Sequence, residues 1–170
     1  MFQEGSVDYM ISVCSEEITD VVRTEIARER VLLALPEHHP AIAHAYQVGN
    51  EPYPHLDVRY LDRETFIIPV TGQSMRMTAN RMFQQARIRP GRLIEIGHFD
   101  VIMSMVNIGL GIGFNRLGYI HDMQKFEHVR YFFVDHEAYR SSLELIRRKG
   151  HVISNCERDF LDILVKTIQS

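Results

Sequence analysis

The run from Glu95 to Phe114, EIGHFDVIMSMVNIGLGIGF, constrains this chain more than any other stretch. Ile102, Met105, Val106 and Gly109 recur at helical spacing and share one face. Gly109 supplies the stop, because glycine enters the left-handed conformation that closes a helix without a Cβ clash. Leu110 to Phe114 then reads as a short strand whose glycines let neighbouring groups approach closely. The order of these parts excludes one function. A dinucleotide-binding turn runs strand, glycines, helix, so that phosphate meets the helix amides. Here the glycines follow the helix, and Gly-x-Gly-x-Gly lacks the required spacing.

Strands and helices alternate on either side of this run. Strands are predicted at Val7–Val13, Val21–Ile26, Arg30–Leu35, Phe66–Val70, Leu93–Ile96, Val129–Val134 and Leu143–Arg148. The polar stretch Val48–Asp62, with Pro52 and Pro54, reads as a loop with a short helical turn. Met75, Ala79, Met82, Phe83 and Ala86 mark one face of a helix that ends before Pro90, with Thr71 or Ser74 able to cap it. Ser154 and Glu157 have capping-box spacing ahead of a last helix, whose buried side is predicted to carry Phe160, Leu161, Leu164 and Ile168. The alternation implies an α/β fold with mostly parallel strands.

Composition removes several classes. A net charge of -3 gives no global basic signature for nucleic acid. No apolar run reaches membrane-spanning length, and Met1 to Gly5 lacks the pattern of a secretory signal. Cys14 and Cys156 lie far apart with no CxxC pattern, so reduced thiols in the cytoplasm are expected.

Five segments in order carry a resemblance. They are Gly5-Ser6-Val7-Asp8-Tyr9-Met10-Ile11, Glu29 to Pro40 (ERVLLALPEHHP), Phe66-Ile67-Ile68-Pro69, Gly109 to Gly113 (GLGIG), and Leu145 to Gly150 (LIRRKG). In this order and spacing the chain resembles the effector-binding domain of LysR-type transcriptional regulators over nearly its whole length. The resemblance implies a two-lobe periplasmic-binding-protein-like fold of type II, joined by two crossover strands, with a small-molecule cleft. Lobe one would comprise residues 1–35 plus 131–170, and lobe two residues 36–130. The DNA-binding domain of such regulators has no counterpart here, and lobe one is expected to be incomplete at its start. Val7–Val13 would then present an unpaired edge, which favours association.

The resemblance and the residues together nominate a site. Thr71, Gly72, Gln73 and Ser74 form a strand-to-helix turn, where free amides and hydroxyls suit an anion; simple capping needs the same residue types. His98 and Phe99 begin the next helix at a strand's carboxyl end, the usual ligand edge of open α/β sheets. Asp100 beside them suits the helix dipole, and Phe99 equally suits a core. Phe114 and Asn115 end the following strand; Ser12 and Cys14 end the strand of lobe one. Cys14 as a redox sensor would need a basic neighbourhood, which the sequence lacks. In the family the helix from Met75 to Arg87 packs in a dimer, which makes Met75, Arg81 and Met82 candidate interface residues.

Metal and cofactor are not expected. His38, His39 and His44 are close in sequence, but no HExxH or Cys/His spacing accompanies them, and His39-Pro40 matches a structural feature of the family. The basic run Arg147-Arg148-Lys149 is too short for DNA affinity by itself. No nucleophile elbow or supported Cys/His pair points to catalysis. The expected function is an effector-sensing regulatory module without enzymatic activity. Its expected partners are a small organic anion and a second copy or a full-length relative, with no direct DNA binding and no membrane. The alternative is a stand-alone solute-binding protein of the same fold.

Overall fold

The computed structural model describes residues 6–13, 18–119, 126–134 and 140–169. The chain forms two compact units, Met1–Glu29 with Ser141–Ser170, and Arg30–Arg140. The division falls inside one long strand, β2 (Val21–Pro36), and not at residue 35. The reason is pairing: the second half of β2 is hydrogen-bonded to strands of the larger unit. Two separate strands were predicted here. Polar residues such as Arg28 interrupt the apolar pattern, but the backbone stays extended while Arg28 pairs with Glu25 at the surface.

In the first unit, β1 (Tyr9–Val13) runs antiparallel to β8 (Arg140–Arg148), from Tyr9↔Arg147 to Val13↔Leu143. The first half of β2 lies on the other side of β8, which leaves β1 as an edge strand among the described residues. Arg23 pairs with Glu144 at 3.1 Å across this sheet. Helix α3 (Asn155–Gln169) opens with the predicted capping box: the Ser154 amide donates to Glu157 Oε2 at 2.7 Å, and the Glu157 amide donates to Ser154 Oγ at 3.3 Å. The predicted burial of its apolar side is only partial. Leu161, Leu164 and Ile168 are half-buried, whereas Phe160 is 57% exposed. The unit has little apolar surface to set against the helix, since Ile26, Leu145 and Ile146 are its fully buried hydrophobics among the described residues.

In the second unit, the second half of β2 pairs antiparallel with both β6 (Gly113–Arg116) and β7 (Val129–Val134). A two-residue strand, β3 (His55–Leu56), which the sequence did not reveal, adds parallel to β7. β4 (Thr65–Pro69) and β5 (Arg92–Ile96) pair in parallel, and a single parallel bridge joins Phe66 to Ile112. The expectation of mostly parallel strands therefore fails around β2. β2 carries the chain into this unit and β7 carries it out, so side by side they run in opposite directions.

Alternation along β2 sorts the core. Val31, Leu33 and Leu35 share one cluster with Phe66, Ile68, Phe114, Phe132 and helix α1 (Ser74–Ala86). Ala34 faces the other cluster with Ile67, Val129 and helix α2 (Phe99–Asn107). The end of α2 follows the sequence. Gly109 sits at φ +83°, its amide donates to Val106 O, and the Leu110 amide donates to Met105 O, which is a Schellman closure. Gly113 meets the helix closely: a Cβ there would lie 3.0 Å from Val106 Cγ2 and 3.4 Å from Ile102 Cγ2.

Candidate functional site

The carboxyl ends of β4, β5 and β6 gather three starts and stops of chain at one edge of the second unit. After β4, Val70 to Gln73 turn through Gly72 at φ +94° into α1. Thr71, Gly72 and Gln73 are exposed and Ser74 is half-buried. The cap position belongs to Gln73, not to Thr71 or Ser74, and no side-chain cap bond forms there. Gln73 instead reaches across to the next turn, where its Nε2 donates to Gly97 O at 3.1 Å. After β5, exposed His98 occupies the cap of α2, again with no side-chain cap bond. At the α1 start no side-chain cap takes up the amides, the arrangement that favours an anion, and Gln73 ties that start to the α2 start.

A cation stands beside them. Arg116, the last residue of β6, is only 3% exposed, and its guanidinium donates to Ser74 Oγ at 2.8 Å. Arg76 fixes the other side of α1 by donating to Pro69 O at 3.1 Å and pairing with Glu95 at 2.8 Å. Next to Arg116, Asn115 is fully buried. Its Oδ1 accepts from the Arg116 amide at 2.7 Å, while its Nδ2 has no partner among the described residues. The hydroxyl of Tyr131 is likewise buried, with the Asn115 side chain beside it. Burial raises the pKa of that phenol, and the hydrogen bond with the Asn115 side chain lowers it in part.

Of the nominated residues, Thr71, Gly72, Gln73, Ser74, His98 and Asn115 come together at this edge. Phe99 starts α2 and packs against the same apolar cluster as Tyr131. Phe114 does not line a site: it is 2% exposed, stacked on Phe66 at 5.9 Å and edge-on to Phe83. Strand alternation sends Phe114 into the core under α1 and its neighbour Asn115 to the α2 face. Met75 and Met82 are also core residues, with Met82 fully buried against α1's sheet, and are closed to a partner; Arg81 is exposed. Ser12 lies on β1 of the first unit opposite Glu144, and Cys14 falls outside the described residues. His39 has a structural role, accepting from the Ala41 amide at 3.2 Å to cap a short helical turn. The sequence reading missed Arg116 and Tyr131. A lone arginine closing an apolar strand was the available signal for the first.

Helix N-termini gathered at the carboxyl ends of parallel strands are the layout of an α/β binding domain. The family model described as LysR substrate binding domain matches residues 1–169, and the chain belongs to that family. Among curated proteins it is similar to the HTH-type transcriptional regulator GltR of Bacillus subtilis (strain 168), at 24% identity over 145 residues. That match covers 85% of this chain and spans 45% of the length of GltR. Among solved structures it is similar to the Synechocystis PCC6803 CcmR regulatory domain in complex with 2-PG, with a TM-score of 0.79 and 17% identity, over 98% of this chain and 76% of the other. It is also similar to the effector-binding domain of QuiR in complex with shikimate, with a TM-score of 0.74 and 15% identity, over 98% of this chain and 74% of the other. The fold is thus the type II periplasmic-binding-protein-like fold of LysR effector-binding domains. The family is one of ligand-sensing regulatory domains, which sets aside the reading as a stand-alone solute-binding protein. No described helix is long and apolar enough to cross a membrane.

Proposed function

We propose that this domain senses a small organic anion at the edge formed by Thr71–Ser74, His98, Asn115 and Arg116. One observation carries the reading: Arg116, buried at the end of β6, sits on Ser74 at the start of α1. A guanidinium and the α1 amides converge there on one negative group, and the α2 start lies one Gln73 side chain away. The QuiR domain's ligand, shikimate, is a carboxylate, which agrees with this chemistry. The anion favours the conformation in which the arginine and the α1 start engage it, a population shift and not a chemical reaction. In an intact cytoplasmic regulator, the shift alters how paired copies present their DNA-binding parts.

A thermal-shift screen of small carboxylates and phosphates tests the reading. An anion that raises the unfolding midpoint is expected to lose at least about tenfold in affinity on Arg116→Met and on Arg116→Lys, because lysine keeps the charge but loses the planar fork. Equal binding of the anion and of its uncharged amide would defeat the proposal, as would full affinity in both variants.

A further inference from the structure

We infer that two copies of this chain pair through the outer face of α3, antiparallel and about a twofold axis. The inference does not depend on the anion site. α3 carries two stripes at helical spacing. Leu161, Leu164 and Ile168 form the half-buried one. Cys156, Phe160, Ile163 and Thr167 form the other, and all of these are exposed, Ile163 to 65%. Their spacing alternates four and three residues, the period of a coiled-coil seam, so the side chains make one continuous strip along the helix. Single exposed apolar residues are ordinary on a surface, whereas a strip at this period is what a facing helix fills. Phe160 and Ile163 supply its apolar centre, and the smaller Cys156 and Thr167 its ends.

The charges beside the strip choose the partner and its direction. Asp159 and Lys166 are exposed on one flank, and among the described residues neither has an ion-pair partner. An antiparallel pairing that sets Phe160 against Ile163 of the second copy also sets Cys156 against Thr167 of the second copy. It brings Asp159 within reach of Lys166 of the second copy, and symmetry repeats the pair at the other end. A parallel pairing sets Asp159 beside Leu164 of the second copy and matches no charge there. The face is thus complementary to itself, which a twofold interface requires. α3 needs no partner to be helical, since its half-buried stripe and the Ser154–Glu157 cap already hold it. So short a seam lies at the small end of stable interfaces, and the association is therefore reversible and concentration-dependent.

Analytical ultracentrifugation of the full chain over a concentration series is expected to show a monomer–dimer equilibrium. Ile163→Glu is expected to weaken it at least about tenfold. At so exposed a position it should leave the unfolding midpoint of the dilute protein unchanged. Cross-linking reads the direction, with Cys14→Ser in every sample so that Cys156 is the one native thiol. In the antiparallel pair the Cys156 residues of the two copies lie about 16 Å apart along the axis, at about 1.5 Å per residue, too far for a disulfide. Oxidation by diamide is expected to leave Cys14→Ser uncross-linked and to convert Cys14→Ser/Thr167→Cys into a covalent dimer. A chain that stays monomeric at every concentration overturns the inference, as does a dimer that Ile163→Glu leaves intact. A covalent dimer without the Thr167→Cys change would mean a parallel pair and overturns it too, as does a Thr167→Cys protein that forms no cross-link.

Discussion

Glu157 shows how much one side chain can organise. It accepts from the Ser154 amide, from the Tyr9 hydroxyl at 3.3 Å and from the His151 ring at 2.8 Å. The Ser154 amide, then the Ser154 hydroxyl, then His151 hold its carboxyl down to about 2 from an ordinary 4.5. A folded-state value below the unfolded one means stability that is present above 4.5 and lost as the pH falls toward about 2. Glu157→Gln keeps an acceptor but no longer titrates, so its unfolding midpoint is expected to fall less steeply between those pH values. Circular dichroism melts across that range check this; parallel slopes for both proteins would refute it. At this scale legibility was mixed. The Ser154/Glu157 box was readable because cap chemistry is local. Phe114 was misread because one strand residue faces the core or the ligand edge according to register, which a single sequence does not fix. Arg116 was overlooked because its partner Ser74 lies 42 positions away.

Elements were more legible than residues. The helix–glycine–strand run appears as α2, its Gly109 closure and β6, because each part is set by local rules of periodicity and backbone freedom. What failed were features fixed by distant pairing. β2 is one strand because β6, β7 and β8 line it, and β3 is a strand of two residues only because β7 accepts it. Gly113 joins the two levels: local sequence makes it a strand glycine, and tertiary packing sets Val106 and Ile102 of α2 against it. Gly113→Val adds bulk on the side where a Cβ would already lie 3.0 Å from Val106 Cγ2 and 3.4 Å from Ile102 Cγ2. The substitution is expected to cost about 1–3 kcal/mol, as overpacked cores do. Chemical denaturation measures it. The same change with Val106→Ala should recover part of the loss, and no recovery would mean that the contact with α2 is not the cause.

Across the whole molecule, burial is uneven, and stability should follow it. The second unit encloses two apolar clusters around β2, with Leu32, Leu33, Ala34 and Leu35 fully buried. Among the described residues of the first unit, α3 has no fully buried side chain and β1 pairs on one side only. Backbone hydrogen bonds open independently where few apolar contacts resist opening. Amide exchange under native conditions is therefore expected in two tiers. The amides of β1 and α3 should exchange through local openings well below the global unfolding free energy. Those of β2 from Val31 to Leu35, β6 and β7 should exchange only with global unfolding. Added denaturant sharpens the distinction: global openings accelerate with a large slope, whereas local ones hardly respond. An anion held at the α1 start should slow the second tier by mass action, and should slow the first only so far as opening there disturbs the binding site. Uniform protection across both units, with one denaturant slope, would show that the lightly packed unit is held by the other as a single cooperative body.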